Sequence, residues 1–154
     1  MSHWGPLLWK LLHALAEKLG KQKPEILAAD EAREIVLILR GIEVIMPCEK
    51  CRKHYKEYRV KNPYDIFAQR RGLGLKKGVR EWLYLLHETV NKKNGVESRL
   101  LLENMESMYT DVKIQDAWTP LNQVLMTSVS SGLILSENLK SFRRHLSLLL
   151  TAVS

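Results

Sequence analysis

The stretch from Gly78 to Lys93 reads GVREWLYLLHETVNKK, and its reading decides the class of fold. Val79, Trp82, Leu83, Leu86 and Val90 recur at three and four positions, so they gather on one face of a helix. Asn94-Gly95 follows as a stop. The same period runs upstream through Trp9, Leu12, His13, Ala16 and Leu19, closed by Gly20 with Lys18 in the last turn. After Pro24, Asp30 is predicted to cap a second helix. Glu31 and Glu34 lie in its first turn, and Ile35, Ile38, Leu39, Ile42 and Ile45 form its apolar face. Pro47 suits the entry of a third helix, from about Cys48 to Tyr58. The segment from Arg59 to Lys77 holds Asn62-Pro63, Gly72 and Gly74 and reads mostly as loop. A fifth helix is expected over about Ser98 to Met108. Two more are expected over Leu121 to Val129 and Glu137 to Val153, parted by Ser130-Ser131-Gly132. No run alternates cleanly enough to demand a strand, so the chain reads as all-α.

A chain of 154 residues with 45% hydrophobic content has one domain as its default and enough apolar residues for a core. The formal net charge of +7 admits an anionic cofactor or an acidic partner. Nucleic acid is not expected, because no basic stripe carries aromatics at a base-stacking spacing. Ile35 to Leu39 and Leu148 to Leu150 are the longest apolar runs, far short of the ~20 residues that span a bilayer. No membrane association is expected. The N-terminus has no basic region leading into an apolar stretch, so no secretory signal is read there.

The two cysteines, Cys48 and Cys51, fall in one Cys-x-x-Cys at the predicted start of a helix. Free amides of a first turn and the helix dipole stabilise a thiolate, and Lys50, Arg52 and Lys53 add positive charge. The spacing lets the sulfurs meet within one turn. Three readings stand side by side on this motif. The cysteines pack as small apolar side chains; or Cys48, Cys51, His54 and His87 hold zinc; or the pair cycles between dithiol and disulfide. The usual redox host, a thioredoxin-like fold, needs strands that this chain lacks.

Three segments taken in order weigh on that choice. They are Trp4-Gly5-Pro6-Leu7-Leu8-Trp9-Lys10-Leu11-Leu12-His13, preceded by His3; Pro47-Cys48-Glu49-Lys50-Cys51-Arg52-Lys53-His54-Tyr55, with Asn62-Pro63 beyond; and Trp82 to Lys93. Together they resemble the ERV/ALR family of FAD-dependent sulfhydryl oxidases, and the opening motif and low cysteine count look most like its small viral members. The likeness covers residues 3 to about 109. It implies a four-helix bundle with a short fifth helix, holding FAD at one end. It divides the chain into an oxidase domain, 1–110, and a C-terminal helical extension, 111–154, of no recognised counterpart.

The resemblance implies redox catalysis by Cys48 and Cys51. It implies cofactor contacts from Gly5, Trp9, His13, Tyr55, His87, Val90, Asn91 and Lys93, with His54 beside Tyr55. His87 and Asn91 lie at i and i+4 and so share a helix face. Without the resemblance, Trp9, Trp82 and His13 read as core residues, and Lys92-Lys93 as a solvated helix end. The chain departs from the family at Glu88, where Asn is frequent, at Pro6, where many members have Arg, and at Asn94, in place of a common Leu. By resemblance, Cys48 meets the substrate thiolate, Cys51 faces the flavin, and oxygen is reduced to hydrogen peroxide. Many members own a second, shuttling cysteine pair; this chain has none. A thiol protein then reaches Cys48 directly, or a thioredoxin-like carrier brings its electrons. A homodimer through the early helices, and a cytoplasmic site such as a viral assembly site or virion, are further expectations.

Overall fold

The computed structural model describes residues 4–154; His3, which precedes the first motif, lies outside the described residues. Among the described residues the chain forms seven α-helices and no strand. They are α1 (Trp4–Lys18), α2 (Glu25–Ile45), α3 (Glu49–Lys61), α4 (Gly72–Lys93), α5 (Met105–Tyr109), α6 (Ile114–Ser130) and α7 (Ser136–Val153). Short 3₁₀ turns at Asp65–Gln69 and Leu102–Asn104 fill two of the connections. None of the helices is long and apolar enough to cross a membrane.

Helix α1 lies between α4 and α6, and α2 packs along α7. Leu11, Leu12 and Leu15 of α1 share one contiguous core with Ile35, Ile38, Leu39 and Ile42 of α2. Leu75, Val79 and Leu83 of α4 join it, as do Leu121 and Leu125 of α6 and Phe142, Leu146 and Leu149 of α7. The C-terminal helices therefore cover faces of α1 and α2 that would otherwise meet water. Where α2 and α7 cross, Gly41 has no side chain to hold them apart. A Cβ there would sit 2.9 Å from Cδ1 of Phe142.

The turn from α1 to α2 depends on Gly20, whose φ of +85° is the left-handed region that favours glycine. Its amide donates to both carboxylate oxygens of the fully buried Glu31, at 3.2 and 3.3 Å. Burial raises the Glu31 pKa, while that amide draws it back down. Glu17 of α1, equally hidden, accepts two hydrogen bonds from Arg80 of α4, at 2.8 and 2.7 Å. Arg80 also reaches Glu106 of α5 at 3.0 Å, so one guanidinium ties three helices. Losing one partner of such a pair strands a buried charge and costs roughly 3–5 kcal/mol.

Several boundaries differ from the sequence reading. Helix α2 starts at Glu25, behind Pro24 at φ −61°, a value that proline presets for a helix entry. Asp30 does not cap it and instead pairs with Arg33 on the surface. The stretch predicted as loop contains a 3₁₀ turn and the first turn of α4, because Leu75 continues the apolar stripe and is fully buried. That burial outweighs the ~1 kcal/mol that Gly74 costs in the helix, while Gly72 enters it at φ +60°, in the left-handed region that favours glycine. The fifth helix is shorter than predicted. Ser98 hydrogen-bonds Glu88, and the Leu100 carbonyl accepts from Tyr84 at 3.0 Å, so α4 holds this strip extended. Helix α6 begins at Ile114, earlier than expected, since Ile114, Ala117 and Trp118 carry its buried face one turn and more upstream.

Candidate active site

Pro47 ends the α2 pattern, and Cys48 becomes the N-cap of α3 with extended backbone at φ −150°, ψ 110°. Its Sγ accepts the Cys51 amide at 3.2 Å, so the sulfur takes one of the unpaired donors of the first turn. Cys48 and Cys51 are joined in a disulfide, with Cα atoms 5.2 Å apart. The Arg52 guanidinium donates to the Met46 carbonyl and fixes the approach to this turn.

Cys51 opens onto a cavity of about 720 Å³, and Cys48 does not line it. Helix α1 contributes Gly5, Trp9 and Lys10 to the wall; α2 gives Ile42 and Met46; α3 gives Lys50, His54 and Tyr55. Helix α4 adds Leu86, His87, Val90 and Asn91, and Tyr109 and Val112 close the floor. The Trp9 and His87 rings stack face to face, centroids 4.0 Å apart and only 6° from parallel. Behind them, His13 meets His87 through Nε2 and Nδ1 at 3.0 Å. One ring donates and the other accepts, so the bond needs at least one neutral imidazole. Tyr109 stacks on the other side of His13, at 4.9 Å. Burial, with the His87 ring beside it, pushes the His13 pKa down to about 4. Burial also lowers His87, against the pull of Glu88. Both rings are therefore uncharged at neutral pH. The Tyr55 hydroxyl donates to the Leu39 carbonyl, and burial raises its pKa well above the ordinary value. Tyr55 thus offers the cavity a ring and no titrating group.

Of the residues singled out in the sequence, Gly5, Trp9, Tyr55, His87, Val90, Asn91 and Cys51 meet at this cavity. His13 stands behind the wall, bonded to it through His87. Lys93 does not reach the wall: its Nζ lies 3.6 Å from Glu57. The cations that line the cavity are Lys10 and Lys50. Sequence reasoning does not find Lys10, Met46 or Tyr109 as wall residues. No local pattern marks Tyr109, which sits after an irregular strip and is brought to His13 by the fold alone.

The zinc set is not assembled. The sulfurs of Cys48 and Cys51 bond each other, His87 bonds His13, and among the described residues no three His, Cys, Asp or Glu gather at one point. A second cavity, about 740 Å³, lies between α2, α3 and α7, against Arg40, Glu43, Arg59, Phe142 and His145. It touches neither sulfur nor the aromatic stack.

A helix-entry disulfide opening onto an aromatic-walled cavity in an all-α bundle defines a dithiol–disulfide redox protein. The Erv1 / Alr family model matches residues 6–116, and the chain belongs to that family. FAD-linked sulfhydryl oxidases from two isolates of African swine fever virus are each 34% identical to it, over 93 and 98 residues. These matches span 60% of this chain and 69% of each viral protein. FAD-linked sulfhydryl oxidase ERV1 of Arabidopsis thaliana is 32% identical over 91 residues, 59% of this chain and 42% of the plant protein. No solved structure matches the chain significantly.

Proposed function

We propose that Cys48 and Cys51 are the redox pair of this chain, Cys48 meeting the substrate and Cys51 facing the cofactor. The activity follows from the family: the protein is an FAD-dependent sulfhydryl oxidase that joins thiols into disulfides and reduces oxygen to hydrogen peroxide. The observation that carries the division of roles is the asymmetry of the pair. Cys51 lines the large cavity and Cys48 does not.

The cavity fits a flavin nucleotide. Its volume of about 720 Å³ falls within the range of ligand clefts, ~300–1,000 Å³. Trp9 and His87 lie too close together for a ring to slip between them, so their outer faces and the Tyr55 and Tyr109 rings are the surfaces on offer. Lys10 and Lys50 supply cations for a pyrophosphate, and Asn91 supplies a polar edge. Gly5 brings backbone alone to the wall, with open space where a side chain would be. His13 braces His87 and Trp9 from behind, and Tyr109 stacks on His13. FAD held by these residues would supply the redox chemistry that links the dithiol pair to oxygen.

The chain's own steps are thiol exchange. A substrate thiolate attacks Cys48 Sγ, the Cys48–Cys51 bond breaks, and Cys51 leaves as a thiolate. A second substrate thiolate attacks the mixed disulfide and releases Cys48 as a thiolate. The Cys51 amide, 3.2 Å from Cys48 Sγ, stabilises that charge. The substrate loses two protons and two electrons and becomes a disulfide, and the pair holds the electrons.

Residues 1–110 form the oxidase unit, and 111–154 a helical extension that braces α1 and α2. With no cysteine beyond the pair, the substrate dithiol reaches Cys48 directly, or a thioredoxin-like carrier does so for it. A homodimer would use surfaces other than the α6-covered side of α1 and the α7-covered side of α2. The likeness to virus proteins is in keeping with a viral role, for which a cytoplasmic assembly site or the virion is the expected setting. Alkylation tests the roles. Flavin-loaded protein is reduced with dithiothreitol without oxygen, briefly treated with iodoacetamide and mapped by mass spectrometry. Cys48 is expected to carry the label first; preferential labelling of Cys51 would reverse the assignment.

A further inference from the structure

We infer that the thiols this oxidase accepts lie in acidic segments, drawn to Cys48 by a collar of uncompensated cations. This rests on Cys48 being the substrate-facing sulfur. Lys53 and Lys56 stand exposed on the first turns of α3, outside the cavity wall, and neither has an ion-pair partner among the described residues. Arg52 gives its hydrogen bond to a neutral carbonyl, that of Met46, so its charge is uncancelled too. Against these stands only Glu49 on the same turns, because Glu57 is occupied by Lys93 at 3.6 Å. Further along α3 the pattern changes, and Arg59 is neutralised by Glu43 at 2.6 Å.

Arg33 with Asp30, Arg71 with Glu25 and Arg80 with Glu17 show cations that are matched by a carboxylate. At the end of α3 that carries the disulfide, Arg52, Lys53 and Lys56 outnumber the single free carboxylate, Glu49. The helix dipole adds its positive pole at that end. Such a field raises the local concentration of an anionic partner and speeds encounter by ~10–10³-fold. It also favours the ionised form of the incoming thiol, the form that attacks. A basic partner meets repulsion at the same place.

Two dithiol peptides of equal length test this, one with glutamates flanking its cysteines and one with lysines. Neutral dithiothreitol serves as the reference substrate. In dilute buffer the acidic peptide is expected to exceed the basic one in kcat/KM by at least ~10-fold. The gap should close near 1 M salt, where the Debye length is ~3 Å. The variant Lys53→Glu with Lys56→Glu, two residues outside the cavity wall, should shrink or invert the ratio of acidic to basic peptide kcat/KM, each value referred to the same variant's dithiothreitol turnover. Equal kcat/KM for the two peptides in dilute buffer overturns the proposal, and so does a preference that survives the double variant. Absence of dithiothreitol turnover in the unaltered protein strikes instead at the reading of the disulfide itself.

Discussion

Two cavities of nearly equal size lie in this molecule, about 720 Å³ beside Cys51 and about 740 Å³ between α2, α3 and α7. They differ in what their walls leave unsatisfied. At the second, the charged groups of the wall are paired with carboxylates. Arg59 holds Glu43 at 2.6 Å, His145 holds the buried Glu34 at 2.7 Å, and Arg40 approaches Asp65 at 3.9 Å. At the first, two lysines lack carboxylate partners among the described residues, aromatic faces stand open, and the disulfide meets the space through Cys51. Volume alone does not make a site; unspent chemistry around the volume does.

The largest way to break this contrast is at the sulfur. Cys51→Ser is expected to keep its flavin and to lose dithiothreitol-driven oxygen uptake by at least ~10³-fold. Ser141→Ala, in the wall of the other cavity, should leave turnover unchanged. An equal loss from both would erase the distinction.

Next in size is Phe142→Ala. Its ring is 2% exposed and fills the gap over Gly41, so about 3–5 kcal/mol of unfolding free energy should disappear in a denaturant titration. Flavin affinity of the folded fraction should hold, because neither Gly41 nor Phe142 lines the cavity beside Cys51.

Acid acts on the first cavity through His13. Its folded pKa of about 4 lies below the ordinary value of 6.5, so the unfolded chain binds the extra proton first. The native state is not penalised by this group above pH ~6.5. Stability then falls as pH drops toward 4, by about 3 kcal/mol in all from His13. Melting temperatures across that window should show the loss, and His13→Phe should flatten it. The smallest effect belongs to Arg40→Ala. The Arg40–Asp65 pair is exposed and long, so the change in stability should stay within ~0.5 kcal/mol.

How far the sequence reveals this contrast depends on how local each determinant is. The stripes on α1, α2 and α4 are visible because burial repeats with the helical period, and Ile35, Ile38, Leu39 and Ile42 are buried as their spacing predicts. Helix starts are less visible. Asp30 has the chemistry of a cap, but Pro24 stands where the chain turns, and Leu75 pulls two glycines into helix. The cysteine motif declares its helix entry, and the cavity gathers Trp9, His87 and Asn91 from two segments of a resemblance. Lys93 and Tyr109 show the limit. Whether a helix-end lysine faces a cavity or Glu57, and whether a tyrosine in an irregular strip lands on His13, is settled by tertiary packing. The same holds for the second cavity, whose walls come from helices distant in sequence.

The most direct test of the account is an anaerobic absorption spectrum of the purified protein before and after dithiothreitol, run beside Cys51→Ser. The account predicts a flavin band in both proteins, bleached quickly in the unaltered chain and only at the rate of free FAD in the variant. A protein that neither carries nor takes up flavin, or a variant that bleaches as fast as its parent, would contradict it.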